Sequence, residues 1–290
     1  MRDPGIQDLS VRAADGVHLR VRHRPGARPP AFLLVHGMGS TAREWDEVAD
    51  RLAARGHPTY AVDLRGHGES DAPAEGNDTA TAAADVAAVA AALGLSGAVV
   101  AGHSWGASVS LRLAARHPAL AAGLALVDGG WLELKSAHRS LTQYRDVLAR
   151  LLVDRGFTDA DAMRAHLRHM HPGWSERAIE AQVADMRAGP DGSLVPRLSR
   201  HQLASILESV WEDDPRRWLS TVTVPVMLLP ATRPETPGGA RQWRQWVAGA
   251  AAALSRPTIR WYENADHHVH CEQPDRLAND LLDLAREVEQ

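Results

Sequence analysis

Cysteine is nearly missing from this chain: among 290 residues, Cys271 stands alone. One thiol cannot close an intrachain disulfide, and it cannot build a cysteine-based zinc site. Phenylalanine and tyrosine are scarce too, at two and three residues, against nine tryptophans. No stretch approaches the roughly 18 consecutive apolar residues of a membrane span, and residues 1–16 carry charges without the apolar core of a signal peptide. Charge of one sign is never concentrated either. The 32 basic and 36 acidic side chains give a formal net charge of −4 with no basic stripe, which argues against a nucleic-acid surface. The expectation is a soluble, cytoplasmic protein that meets neither membrane nor nucleic acid. Monomer and homodimer stay equally open.

What the chain does have is rhythm. Two β-like runs, residues 9–13 and 17–23, flank an Ala14-Asp15-Gly16 turn and read as a hairpin. Apolar runs of the buried-strand type follow at 31–35, 59–62, 98–101 and 123–127, separated by helical patterns at 41–55, 79–93 and 105–116. Doubly buried strands alternating with helices predict an α/β fold with a mostly parallel, eight-stranded sheet covered on both faces. At Asp128-Gly129-Gly130 the rhythm breaks, and residues 131–219 show no convincing strand, only helical patterns punctuated by glycine and proline. It resumes with a strand at 224–229, a helix at 239–253, a strand at 258–262 and an amphipathic helix at 275–288. The expected organisation is a core of residues 1–130 and 220–290 with an inserted, all-helical cap at 131–219.

Chemistry concentrates at the ends of these strands. The run Val99-Val100-Ala101-Gly102-His103-Ser104-Trp105-Gly106 ends in G-x-S-x-G and passes into a helix. A serine hydroxyl becomes a useful nucleophile when a sharp strand-to-helix turn presents it to a base. Glycines two residues to either side leave the space such a turn requires. An oxyanion would be held by two main-chain N–H groups: that of Trp105, after the serine, and that of Met38 in the loop His36-Gly37-Met38-Gly39. A base is sought late in the chain, where Asp266-His267-His268-Val269-His270 offers three histidines. The same H-H-x-H cluster could hold a metal, but one nearby carboxylate and no helical His pair disfavour it, and neither metal nor cofactor is expected. The orienting acid is irregular: the loop after 226–229 reads Pro230-Ala231-Thr232-Arg233-Pro234-Glu235 and has no aspartate. Asp128, at the end of the preceding strand, is favoured over Glu235; its bland reading is a helix cap. Tryptophans are either ordinary core or the walls of an apolar pocket, which makes Trp131, Trp174, Trp211 and Trp218, with His36, His103 and His268, the candidates for contact with substrate.

In this order the motifs resemble the α/β-hydrolase superfamily, in the branch with a helical cap. The resemblance rests on H-G-M-G at 36–39, D-L-R-G-H-G-E-S at 63–70, G-H-S-W-G at 102–106, V-D-G-G at 127–130 and D-H-H-V-H-C-E-Q-P at 266–274. It implies that the base is His267, with His268 and His270 as bystanders. Ser104, Asp128 and His267 then follow the family's chain order, and 63–70 is a structural loop beneath the site. It further implies a serine hydrolase of the carboxylesterase or lactonase type, acting on a medium-sized, partly apolar small molecule. A serine at position 104 disfavours the dehalogenase and epoxide-hydrolase branches. Amidase, aminopeptidase, thioesterase and C–C bond hydrolase share the same residues, and a non-hydrolytic binding protein would keep the pocket without the chemistry.

Overall fold

A computed structural model describes residues 5–137, 140–152, 156–232 and 237–289. The chain runs β1 (Gln7–Arg12), β2 (His18–Arg24), β3 (Phe32–Val35), α1 (Asp46–Ala54), β4 (Thr59–Val62), α2 (Thr79–Ala92), β5 (Ala98–His103), α3 (Trp105–Arg116) and β6 (Ala121–Val127). There follow α4 (Leu134–Ala137), α5 (Leu141–Leu152), α6 (Ala160–Met170), α7 (Glu176–Val183), β7 (Met186–Ala188), β8 (Leu194–Pro196), α8 (Arg200–Glu212) and α9 (Arg216–Leu219). The chain closes with β9 (Val226–Leu229), β10 (Ala231–Thr232), α10 (Pro237–Ala253), β11 (Pro257–Ile259), β12 (Tyr262–Glu263), α11 (Val269–Glu272) and α12 (Pro274–Val288).

Eight strands form one sheet in the order β1-β2-β4-β3-β5-β6-β9-β11. β2 runs antiparallel to both β1 and β4, and the remaining pairs are parallel. The central strands are buried along their whole length, as a sheet with helices on both faces requires. Alternate side chains feed two cores: Leu33, Val35 and Val100 pack with α2 and α3 on one face, while Phe32, Leu34, Val99 and Ala101 pack with α1 and α12 on the other. Among the described residues no helix is long and apolar enough to cross a membrane.

Two expectations are corrected. The segment between β6 and β9 is not all-helical, because β7 and β8 pair as an antiparallel hairpin. The stretch Gly189-Pro190-Asp191-Gly192, which reads as a break between helices, is its turn: Gly189 N–H donates to Ser193 O at 2.7 Å and Gly192 takes a positive φ of 83°. The single strand expected at 258–262 is two, β11 beside β9 and β12 beside β10. Pro230, between β9 and β10, has no N–H for the ladder, so regular pairing lapses there.

Side chains of this segment grip the core through several of its helices. α7 docks on α1, where Arg177 reaches Asp46 and Asp50 and the Ser175 hydroxyl donates to Glu47 at 3.0 Å. α8 docks at the start of α2, where Ser209 Oγ accepts from Thr79 N at 3.0 Å and Gln202 donates to Pro73 O at 3.0 Å.

Candidate active site

Ser104 stands between β5 and α3 with φ 52° and ψ −118°, a left-handed backbone that a side chain adopts only under constraint. The constraint is packing of main chain on main chain. A Cβ on Gly102 would stand against the Gly106 carbonyl, and one on Gly106 against the carbonyls of Val35 and His36. The two glycines of the motif are therefore the condition for the turn.

The serine is brought to a histidine and the histidine to an acid. The Ser104 hydroxyl lies 2.9 Å from His267 Nε2, and His267 Nδ1 lies 2.6 Å from Asp128 Oδ2. Because a carboxylate oxygen only accepts, Nδ1 carries the proton and Nε2 presents its lone pair to the serine. Burial pushes the His267 pKa down to about 4, against the pull of Asp128. Asp128, at φ 44°, is buried, and its other oxygen accepts the Ala231 N–H at 2.9 Å. The loop after β9, where an acid is otherwise expected, thus contributes an amide that holds the acid on β6. Glu235 lies outside the described residues.

The loop after β3 singles out one amide. Gly37 N–H donates to Glu44 Oε1 at 3.2 Å and Gly39 N–H donates to His67 Nε2 at 3.2 Å, while Met38 N–H, between them, makes no hydrogen bond to another described residue. Trp105 N–H opens α3 and has no intrahelical acceptor. Among the described residues, both amides expected to cradle an oxyanion are unengaged. His67, in the 63–70 loop, donates from Nδ1 to Arg65 O at 2.9 Å, and burial pushes its pKa down to about 3, which keeps Nε2 free to accept. That histidine holds the 36–39 loop from behind.

The remaining sequence candidates are dispersed. His268 faces the Trp174 ring edge-on at 5.1 Å, and Trp174 stacks on His171 at 3.9 Å, so His268 and Trp174 stand together beside His267. His36 is turned inward: its Nε2 accepts from Leu64 N–H at 3.0 Å and its Nδ1 donates to Gly37 O at 2.7 Å. Trp131 is buried against Trp243, and Trp211 packs on Tyr144. Trp218 lies under Arg112 and Arg116 near the far end of α3, with its N–H on Asp213. His103 is buried.

Around His103 is a group that sequence reasoning missed. Its Nε2 donates to the carbonyl of His267 at 2.8 Å, and its Nδ1 lies 3.3 Å from Glu44 Oε1. His270, its ring 4.5 Å from that of His103, puts Nε2 3.7 Å from Glu44 Oε2. All three side chains are buried. Among the described residues, Glu44, His103 and His270 form one cluster with ligand-type atoms within 4.8 Å of one another, and His171, Asp266 and Glu272 form another. A signal for Glu44 existed in Thr41-Ala42-Arg43-Glu44-Trp45, but a regular helix over 41–55 hides it. The chain instead makes a 3-10 turn at Ala42–Trp45, capped by Thr41, and the glutamate is buried.

The chain is similar to known proteins in sequence and in fold. The model of the alpha/beta hydrolase family matches residues 32–280. The chain is 30% identical over 213 residues to a 2-(acetamidomethylene)succinate hydrolase of Mesorhizobium japonicum, covering 73% of each chain. Among solved structures, an E-2-(acetamidomethylene)succinate hydrolase superposes with a TM-score of 0.79 at 24% identity, over 96% of this chain and 98% of the other. An esterase of M. tuberculosis superposes at 0.72 and 22% identity, over 98% and 93%. The chain belongs to the alpha/beta hydrolase family.

Proposed function

We propose that this hydrolase cleaves an ester-like bond of a medium-sized, partly apolar small molecule through an acyl-enzyme on Ser104. The observation that carries the reading is the unbroken hydrogen-bonded chain from Ser104 through His267 to Asp128, at 2.9 and 2.6 Å, on a strained elbow. Ser104 Oγ attacks the acyl carbon while His267 Nε2 takes its proton, and Asp128 stabilises the imidazolium that forms. The amides of Met38 and Trp105 receive the oxyanion, preorganised because neither is engaged elsewhere. His267 protonates the departing alkoxide; it then draws a proton from a water whose oxygen attacks the acyl carbon, and returns that proton to Ser104 Oγ as the serine–acyl bond breaks and the acid leaves. In this reading residues 131–219 act as the cap, with Trp174 and His268 at the entrance.

A second bond type is favoured by one observation: the relative sharing 30% identity is named for a substrate bearing an acetamido group. The same residues cleave an amide, with His267 protonating the leaving amine. Paired p-nitrophenyl ester and p-nitroanilide panels separate the two. On the preferred substrate Ser104→Ala is expected to lose roughly 10⁴- to 10⁶-fold in kcat. Activity near the wild-type level in that variant would overturn the nucleophile. Failure of the folded wild type to take a fluorophosphonate probe on Ser104 would point to a binding protein instead.

A further inference from the structure

We infer that Glu44 and His103 form a buried ion pair that positions the catalytic histidine and holds it in its neutral, proton-accepting form. The inference rests on the Ser104–His267–Asp128 reading and extends it to two residues that touch no substrate.

The geometry sets the charge. His103 Nε2 meets only a carbonyl oxygen, that of His267, at 2.8 Å, and Nδ1 meets only a carboxylate oxygen, that of Glu44, at 3.3 Å, near enough for an ion pair though off the straight hydrogen-bond line. Both neighbours accept and neither donates, so the ring is satisfied when both nitrogens are protonated. Glu44 in turn is a carboxylate with no exposed side-chain surface, and such a charge persists only beside an opposite one. Burial works against both charges, yet Glu44 holds the His103 pKa up while His270 and His103 hold that of Glu44 down.

The pair reaches three working parts. Glu44 Oε1 accepts the Gly37 N–H, next to the oxyanion amide of Met38. His103 directly precedes Ser104 in the chain. Its N–H fixes the His267 carbonyl, and its ring lies 4.7 Å from the His267 ring. Titratable groups face His267 from three sides: Asp128 at the end of β6 favours its protonation, while His103 at the end of β5 and His268 on its own loop oppose it. His270, which burial drives well below its ordinary range, bears its charge beside Glu44 only in acid and adds none at neutral pH, where His103 is the cation that faces the carboxylate. A cation at His103 makes protonated His267 less stable, and the base stays competent in acid.

The test follows the rate at which a fluorophosphonate probe modifies Ser104 from pH 3.5 to 8 in the wild type, His103→Gln, Glu44→Gln and the double variant. Glutamine at 103 keeps a donor without the charge. Glutamine at 44 leaves a buried imidazole with no counter-ion. Both variants are expected to move the acid limb upward by about one pH unit and to lower the plateau roughly tenfold or more, and the double variant is expected to go no further than either single one. A purely structural pair would lower the plateau and leave the limb where it is, which overturns the inference. So would a stoichiometric metal ion in the purified wild type that disappears in Glu44→Gln. A wild type left unlabelled at Ser104 would remove the triad reading, a separate result. Should the variants not fold, ¹⁵N spectra of the wild type at pH 7 decide: His103 is expected to carry a proton on both nitrogens and His267 on one, and a neutral His103 overturns the inference.

Discussion

Asp128 is where residue-scale reasoning is most exposed. In the proposed triad it takes the place of the acid expected after β9, and its two oxygens are committed to His267 and to the Ala231 amide. Asp128→Asn is expected to lower kcat on the order of 10⁴-fold, because the imidazole then turns its protonated nitrogen toward the serine. Glu235→Gln is expected to leave kcat within a few-fold; the reverse ranking, measured on one substrate, would reassign the acid. A second expectation concerns pH. His267 is neutral above about 4, so kcat/KM should hold from neutrality down to about pH 5 and fall below pH 4. An acid limb near 6.5, the ordinary histidine value, would contradict the environment described. Ser104 and Asp128 were legible because strand-end position and motif agree. His267 needed the resemblance to separate it from His268 and His270. Glu44 was hidden, since its role comes from three loops meeting and not from any spacing along the chain.

At the level of elements, strands and helices announced themselves wherever apolar periodicity was long. α3 falls on its expected residues, 105–116, and the parallel strands lie within two or three residues of theirs. What failed were features decided by one main-chain group: the Pro230 gap that splits β11 from β12, and the Gly-Pro turn that makes a hairpin of β7 and β8. The elbow offers a sharp contrast between kinds of local stabilisation. Gly106→Ala forces a methyl against two main-chain carbonyls that cannot rotate away, and is expected to cost at least about 2 kcal/mol. Asp78 caps α2 by accepting from Ala80 and Thr81 N–H, and Asp78→Ala is expected to cost about 1 kcal/mol. Thermal unfolding should rank Gly106→Ala below Asp78→Ala, with activity lost in the former alone.

Over the whole molecule, buried neutral histidines tie stability to pH. Burial keeps His67 neutral when folded, with a pKa of about 3 against the ordinary histidine value of 6.5, so between those values the unfolded chain binds the extra proton. Stability contributed by this site is complete above 6.5 and drains away as pH falls. His267 and His270 act in the same direction, whereas His103 and Asp185, both shifted upward, oppose it. Replacing His67 isolates one share. In His67→Gln, which keeps an acceptor for the Gly39 amide, the slope of unfolding free energy between pH 6 and 4 should be shallower than the wild type's by about 1.4 kcal/mol per pH unit. Equal slopes from urea titrations at several pH values would mean that His67 is protonated in the folded protein.

The acid's seat on β6 also bears on how this enzyme can change. The turn after β9 supplies the site with one main-chain N–H, from Ala231, and every amino acid except proline carries that group. With Asp128 as the proposed acid, position 231 serves through its main chain and not its side chain. A saturation library at 231 is therefore expected to keep turnover with every residue except proline, which withdraws the N–H from Asp128.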